Sequence, residues 1–386
     1  MTAHAASWLP LSPGERAVAI EVLTHGPLSR TDIARRLDLS AGSLTRLTKP
    51  LIESGLLVEV AEGAALPEVR QGRPSQPLDI VAESRTFAGF KITQDMVYGV
   101  VTTLKSDIVA RCDLPLTSHD PVDVVDVLRE LTEKFVLEFP GLAGIGIGLG
   151  GRSSDRSVVD ESAFLGWRDV PLARLVEERT GLPVVVDNDV SALVEAERWF
   201  GAGRGLERFA VLTIGAGVGY GLVSGGKRVG TPEDGLGVGR AWIVNPHGPL
   251  TPDGERGSAV SLLGIPSIRY QIQAATGRDF SYEEILALAA DGEPMAARVI
   301  GEAARALGTL IAQISNFAMP QKIVLAGEGV GLVDVAGPDI EAAILANRHP
   351  QAEPVNLETK VSDFHDWARG GAVLAIQVLV LGAGTS

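Results

Sequence analysis

From residue 87 onward, the same order of predicted elements occurs twice. The first copy has three strand-like runs in FAGFKITQDMVYGVVTTLKSDIVARCDL, a helix over about residues 122–138, and the buried strand LAGIGIGLGG, which ends at Gly151. The second copy has strands around a glycine-rich turn in RFAVLTIGAGVGYGLVSGGKRVG, a long helical region and the strand KIVLAGEGVG. This repetition predicts a duplicated α/β architecture of two lobes with a cleft between them.

The length and composition agree with a multidomain α/β protein. A chain of 386 residues is longer than one hydrophobic core usually serves. The 45% hydrophobic fraction and the 45 glycines are typical of a soluble α/β protein with tight strand-to-helix turns. No apolar run approaches the roughly 20 residues of a membrane span, and the N-terminus lacks a signal-peptide pattern, so we expect a cytoplasmic protein. Cys112 is the only cysteine, which excludes an internal disulfide framework and a multi-cysteine zinc site within one chain.

The first eighty residues follow a different pattern. The stretch PGERAVAIEVLTHGPLSRTDIARRLDLSAGSLTRLTKPLIESGLLVEV predicts three short helices and then a strand. The first helix follows Pro13 and ends before Gly26, and the hydroxyls of Ser29 and Ser40 are placed to cap the second and third. A second strand is expected near residues 78–81, after the loop RQGRPSQP. Helices and strands in this order predict a winged helix-turn-helix.

The predicted third helix has an apolar inner face and a polar outer face. Leu44, Leu47 and Leu51 share the inner face, whereas small polar and basic side chains occupy the face that a recognition helix presents to the major groove. The loop between the strands forms a wing with arginines at its tip, which suits a narrow minor groove. The predicted DNA-binding residues are Ser40, Ser43, Thr45, Arg46, Lys49, Arg70 and Arg73. The alternative is a three-helix protein-interaction module with a solvated basic face.

Charge separates the two parts of the chain. The formal net charge of −14 argues against a protein that coats nucleic acid with its whole surface. Residues 1–80 contain eight Lys or Arg and nine Asp or Glu, a net charge of −1, which leaves −13 for residues 81–386. The N-terminal part is therefore a separate electrostatic unit that can approach DNA locally.

Five stretches of the larger part resemble one family. They are LGW at 165–167, DND at 187–189, TIGAGVGYGLV at 213–223, NPHG at 245–248 and KIVLAGEGV at 322–330. Together with the N-terminal helices, they make the chain similar to a transcriptional regulator of the ROK family, which comprises repressors, open reading frames and sugar kinases. The resemblance covers essentially the whole chain and implies an actin-like fold.

The resemblance also implies the positions of a sugar-kinase site. It places Asp189 at the catalytic base of the family's kinases and Asn188 beside it as a sugar ligand. A second phosphate loop is retained as Gly215, Gly217 and Gly219, where the lack of side chains lets backbone N–H groups approach an anion. The candidate effector-binding residues are Gly151, Asn188, Asp189, Gly215 and Gly217. Asp189 alternatively caps the helix that follows it.

Other kinase features are missing from the sequence. The resemblance implies an acidic residue, two glycines and a threonine in a first phosphate hairpin, but this chain has KITQD at 91–95, with Lys91 in place of the carboxylate. A hexose-binding Glu and His fall on GLGVGRA at 235–241, which contains neither, and an expected asparagine falls near Ala163. The family's zinc loop is matched by its glycines, while Thr251, Asp253 and Ser258 occupy the three cysteine positions. We therefore expect no catalytic residues, no zinc or other metal, and no ATP as cofactor.

The sequence predicts an α/β protein with an N-terminal winged helix-turn-helix at 1–80 and a two-lobed actin-like ROK domain at 81–386. Lobe one spans about 81–190 plus a C-terminal helix at about 370–386, and lobe two spans about 191–369. The predicted function is DNA-binding transcriptional regulation, with a double-stranded operator as partner, a sugar or other small molecule as candidate effector, no membrane, and a homodimer or dimer of dimers. The alternative is an ATP-dependent sugar kinase with an appended DNA-binding domain.

Overall fold

A computed structural model describes residues 11–60, 76–250, 254–360 and 363–382. The chain divides into two compact units, residues 1–200 with 367–386 and residues 201–366. The first boundary falls at the end of a helix at residue 200 rather than near residue 190, and the second falls near the start of the last helix. Within the described residues, none of the helices combines the length and apolar character needed to cross a membrane.

The described chain begins with three helices and a small sheet. Serine side chains cap all three helices: Ser12 forms a capping box with Glu15, Ser29 accepts a hydrogen bond from the N–H of Asp32, and Ser40 accepts one from the N–H of Ser43. Two strands then pair antiparallel. These elements are α1 (Pro13–His25), α2 (Arg30–Arg36), α3 (Ala41–Glu53), β1 (Leu57–Glu59) and β2 (Leu78–Ile80).

The rest of unit one is built on a five-stranded sheet with the order β5-β4-β3-β6-β9. The first three strands form an antiparallel meander, and β6 and β9 add parallel to β3. A two-stranded hairpin, β7 and β8, lies outside this sheet and was not predicted from the sequence. The elements are β3 (Thr86–Ile92), β4 (Met96–Thr103), β5 (Ile108–Pro115), α4 (Pro121–Glu138), β6 (Leu142–Leu149), β7 (Val159–Ser162), β8 (Trp167–Val170), α5 (Leu172–Thr180), β9 (Val184–Asn188) and α6 (Asp189–Phe200).

Unit two repeats this topology. Its sheet has the order β12-β11-β10-β13-β14, with the first three strands antiparallel and β13 and β14 parallel to β10. The duplication predicted from the order of elements is therefore confirmed in the connectivity of both sheets. The elements are β10 (Arg208–Ile214), β11 (Val218–Ser224), β12 (Lys227–Arg228), α7 (Ala259–Leu263), α8 (Ile265–Thr276), α9 (Tyr282–Ala290), α10 (Pro294–Ala318), β13 (Lys322–Ala326), α11 (Leu332–Ala346) and β14 (Leu357–Thr359).

The last helix, α12 (Phe364–Ala375), packs on one face of the sheet in unit one and continues as a π-helical turn, Ile376–Val380. Glycines on the strands make this contact close. A Cβ at Gly89 would stand 2.0 Å from the carbonyl oxygen of Ala368, and a Cβ at Gly146 would stand 1.8 Å from that of Gly371. The predicted C-terminal helix is present, but it begins before residue 370.

Candidate functional site

Helix α3 presents the polar face that the sequence predicts. Leu44, Thr48 and Leu51 are buried on its inner side, whereas Thr45, Arg46 and Lys49 are exposed on the other. In the part of the chain that the structure describes, Arg46 has no hydrogen-bond or ion-pair partner. A cation with no internal partner can pair with phosphate or with a base edge.

The other predicted DNA-binding residues have different surroundings. Ser40 caps α3, and its hydroxyl donates to the hydroxyl oxygen of Ser43, 3.0 Å away. Lys49 lies 3.8 Å from the carboxylate of Glu53, a pair whose two side chains are both largely exposed. Exposed pairs of this kind contribute little to stability, so Lys49 can exchange this partner for another anion. Arg70 and Arg73 lie outside the described residues.

A second set of candidates lies where parallel strands of unit one end. Because β3, β6 and β9 run parallel, their carboxyl ends meet at one edge of the sheet, the usual position of a binding site in α/β proteins. Lys91 is near the end of β3, Gly151 follows β6, and Asp189 follows β9. Gly148 lies beside Lys91 in the sheet, and a Cβ there would make only an ordinary van der Waals contact, 3.5 Å, with the Cα of Asp189.

Lys91 and Asp189 form a buried ion pair at this edge. The Lys91 ammonium donates to Asp189 Oδ2, and the two residues are only 7% and 8% exposed. The same ammonium lies over the ring of Trp367, 5.1 Å from its centroid, which adds a cation–π contact. The second oxygen of Asp189 accepts a hydrogen bond from the N–H of Val190 at the start of α6. The carboxylate proposed as a base is therefore bound by a cation of the chain itself.

The neighbouring candidates Asn188 and Gly151 also have internal partners. Asn188 Nδ2 donates to the carbonyl oxygen of Gly151 over 3.0 Å, and its Oδ1 accepts from the N–H of Ser191. A Cβ at Gly151 would stand 2.5 Å from the carbonyl oxygen of Glu161, so a glycine is required there by packing alone. These contacts connect the ends of β6 and β9 to the first turn of α6. They account for both residues without a ligand.

The glycine-rich loop lies at the corresponding edge of unit two. Gly215 follows β10, and Gly327 follows the adjacent parallel strand β13. The carboxylate of Glu328 accepts a hydrogen bond from the N–H of Ala216 over 2.7 Å. A Cβ at Gly217 would meet nothing within 4 Å, so that glycine borders open space. The loop predicted to hold phosphate thus holds a carboxylate of the same chain.

Sequence reasoning missed Trp367 and Glu328. The contact of Trp367 with Lys91 depends on the packing of α12 against β3, which no short motif encodes. A signal for Glu328 is present, because this carboxylate lies between Gly327 and Gly329 in the stretch KIVLAGEGV. Once β10 and β13 are recognised as parallel neighbours, the loops that follow them must lie close together.

The stretches aligned with a hexose cradle and a zinc loop are described in part. Residues 238–241 form a 3₁₀ turn, Val238–Ala241, after Gly237 with a positive φ of 65°. Ser258 caps α7 by accepting from the N–H of Ser261, while Thr251 and Asp253 lie outside the described residues. Across the described ranges, no group of three or more His, Cys, Asp or Glu side chains could hold a metal ion.

The two units with matching sheets define a mixed α/β fold of the kind shared by actin-like sugar kinases. The ROK family model matches residues 88–378, about three quarters of the chain, and the chain belongs to the ROK family. A putative xylose repressor from Caldicellulosiruptor sp. (strain Rt8B.4) is 29% identical over 210 residues, which are 53% of this chain and 52% of that protein. The chain therefore spans about half the length of that relative.

Two solved structures share this fold. One is a crystal structure of a ROK family transcriptional regulator described as a homologue of the E. coli Mlc protein. It has a TM-score of 0.78 and 25% identity, and the match covers 96% of this chain and 98% of that one. The other is a ROK family glucokinase from Streptomyces griseus in complex with glucose and AMPPNP, with a TM-score of 0.65 and 22% identity over 76% of this chain and 99% of that one. The second match leaves about a quarter of this chain uncovered.

Proposed function

We propose that this protein is a DNA-binding transcriptional regulator whose kinase-like part has no enzymatic activity. Residues 1–80 are its winged helix-turn-helix, and residues 81–386 sense a small molecule and pair two copies of the chain. The relative named as a xylose repressor and the solved ROK regulator support this function. The protein acts in the cytoplasm, on a double-stranded operator.

The observation that carries the proposal is the outer face of α3. This helix exposes Thr45, Arg46 and Lys49 together, and its N-terminus is fixed by the Ser40 cap. Small polar and basic side chains on one helix face suit the major groove, where Arg pairs with guanine and Lys with phosphate. Selection of bound duplexes from a random DNA library tests the proposal directly, and its outcomes are given at the end of the Discussion.

The packing of unit one supports a connection between the strand-end site and the DNA-binding part. Helix α6 begins at Asp189, and its last turn places Trp199 in the same hydrophobic cluster as Val18 of α1 and Leu44 of α3. Helix α12 carries Trp367 over Lys91 at one end, while the turn that follows it brings Ile376 and Leu381 into that cluster. Helices α6 and α12, with the turn that follows α12, therefore contact both the strand-end site and the DNA-binding part.

A buried hydrogen bond joins α6 to the π-helical turn that follows α12. Gln377 Nε2 donates to Glu195 Oε2 over 2.8 Å, and Glu195 also pairs with Arg198 at 2.7 Å. Gly370 allows α12 to approach α6 closely, because a Cβ there would stand 3.0 Å from the backbone of Ala192. A ligand that competes for Asp189 would act at the first turn of α6 and thus on elements packed against the winged helix. A ligand that shifts such a packed helix between two arrangements can thereby change the affinity for DNA.

Two copies of the chain act together on DNA. A pair of recognition helices matches two half-sites about 34 Å apart or at a multiple of one helical turn, whereas one winged helix alone binds weakly. The effector is a sugar or another small molecule. We expect light scattering to give the mass of a dimer or of a pair of dimers.

The alternative function is an ATP-dependent sugar kinase with an appended DNA-binding domain. The Lys91–Asp189 ion pair disfavours it, because a general base must accept the proton of the sugar hydroxyl and a positioned base contributes about 10²- to 10⁴-fold in rate. The internal hydrogen bonds of Asn188 likewise leave its amide group engaged.

We expect no phosphate transfer from ATP to any member of a panel of hexoses and pentoses in the presence of Mg²⁺. A coupled ADP-release assay measures this, with a known glucokinase as the positive control. Wild type and Asp189→Asn should both stay at the background rate. Turnover by the wild type that Asp189→Asn abolishes would establish the kinase alternative instead.

A further inference from the structure

The carboxylate of Glu328 occupies the glycine-rich loop after β10. Its Oε1 accepts from the N–H of Ala216, 2.7 Å away. The carboxyl group also fills the space beside Gly215, since a Cβ at that position would lie 2.2 Å from Glu328 Cδ and within 2.4 Å of both of its oxygens. Any residue other than glycine at 215 would displace this carboxylate. The loop and Glu328 are thus shaped to fit each other.

Both partners are held in place by the surrounding backbone. Gly215 donates its N–H to the carbonyl oxygen of Gly217, and its own carbonyl oxygen accepts from the N–H of Ile265 at the start of α8. On the other side, the N–H of Gly329 donates to the carbonyl oxygen of Ile214, so the residue after Glu328 is tied to the end of β10.

A buried tyrosine also holds the loop that contains Glu328. The hydroxyl of Tyr282 donates to the carbonyl oxygen of Gly329 over 2.9 Å. Burial raises the pKa of Tyr282 well above its ordinary value, so this hydroxyl remains a donor throughout the physiological range. Gly327, with a φ of 100°, provides a left-handed turn just before Glu328. Two hydrogen bonds of Gly329 and the turn at Gly327 consequently set the position of the Glu328 backbone independently of its side chain.

We propose that Glu328 is a built-in anion that occupies a phosphate-binding loop and excludes phosphate groups from it. Backbone N–H groups of glycine-rich loops bind phosphate oxygens, and a carboxylate oxygen is an acceptor of the same kind. A carboxylate carried on the same chain competes at a high effective concentration, and its negative charge repels an incoming phosphate. The excluded ligands are those with a terminal polyphosphate group. This inference deepens the proposed function, on which it rests for the absence of enzymatic activity.

Removal of the carboxylate tests the proposal. Isothermal titration of tripolyphosphate at low ionic strength compares wild type with Glu328→Gly and Glu328→Ala in the full chain. We expect both variants to bind tripolyphosphate at least about tenfold more tightly than wild type, because one like charge is removed at short range and one N–H donor is released. Glu328→Gln keeps the shape and the acceptor but not the charge. Its affinity for tripolyphosphate should lie between that of wild type and that of these two variants.

Glu353→Gly is the matched control, since it removes an exposed carboxylate from a loop of the same unit. Its affinity for tripolyphosphate should equal that of wild type. The proposal is overturned if Glu328→Gly and Glu328→Ala bind no better than wild type while circular dichroism shows them folded, or if Glu353→Gly gains as much affinity. DNA binding by the same variants is measured separately, so a protein that binds no DNA would refute the proposed function and leave this test intact.

Discussion

Replacement of Arg46 by Ala is expected to weaken binding to a selected DNA duplex by about 5- to 150-fold, which corresponds to about 1–3 kcal/mol for an arginine that contacts a base edge. Arg46 is exposed on α3 and has no hydrogen-bond or ion-pair partner among the described residues, so the loss of its side chain should leave the fold unchanged. Fluorescence anisotropy with a labelled duplex measures the dissociation constant. The loss should be specific to sequence, because a base contact distinguishes the selected duplex from random DNA.

Lys49→Ala should behave differently from Arg46→Ala. A phosphate contact carries no sequence information, so we expect weaker binding to all duplexes and a decrease of about one in the slope of log affinity against log salt concentration. Arg298→Ala is the matched control for both variants, because Arg298 is an exposed arginine of α10 in the other unit. Unchanged affinity and salt slope for the Arg46→Ala, Lys49→Ala double variant would contradict the assignment of α3 as the recognition helix.

Replacement of Lys91 by Met is expected to lower the free energy of unfolding by about 3–5 kcal/mol. The reason is that the Asp189 carboxylate, in a residue only 8% exposed, would be left buried without its cation. The double variant Lys91→Met, Asp189→Asn should recover most of this loss, since it removes both charges. Urea denaturation followed by tryptophan fluorescence measures the free energy of unfolding. Trp367 lies under the Lys91 ammonium, so its fluorescence is sensitive to changes at this site.

The exposed ion pair between Lys134 and Glu130 of α4 supplies the control for the Lys91 and Asp189 variants. Lys134→Met should leave the denaturation midpoint unchanged within error, because exposed pairs add little to stability. If Lys91→Met were as stable as wild type, or if the double variant were less stable than both single variants, the account of Lys91 and Asp189 as a mutually neutralising structural pair would be wrong.

The predictions from sequence were strongest where a local pattern determines the structure. Ser29 and Ser40 cap the helices that they were predicted to cap, because capping requires only a serine in front of a helical run. The duplicated sheets were also predictable, since the order of elements restricts how strands can pair. The helix expected from about residue 190 is present and begins at Asp189 itself.

Contacts between distant segments could not be predicted in the same way. The sequence shows that Lys91 replaces a carboxylate, but its burial depends on Asp189, 98 residues away, and on Trp367 of the last helix. Glu328 and Ala216 are likewise 112 residues apart. These pairs exist because parallel strands bring their carboxyl ends to one edge, so they become visible only when the strand order is known.

Polar groups at the strand ends of both units have partners within the chain. Asp189 is paired with Lys91, the amide of Asn188 is hydrogen-bonded to backbone groups, and the N–H of Ala216 is bonded to Glu328. In the proposed function, these are the polar groups that an effector would contact. Under that proposal a ligand exchanges contacts with the protein rather than filling unpaired ones, as expected for reversible sensing rather than tight substrate binding.

Selection of bound duplexes from a random library by the full chain tests the central claim most directly. The account predicts enrichment of one motif with two half-sites. Wild type should bind this motif at least about 10³-fold more tightly than random DNA at physiological salt, and Arg46→Ala should lose much of that preference. No enriched motif, together with equal affinity for all duplexes, would contradict the assignment of this ROK family protein as a DNA-binding regulator.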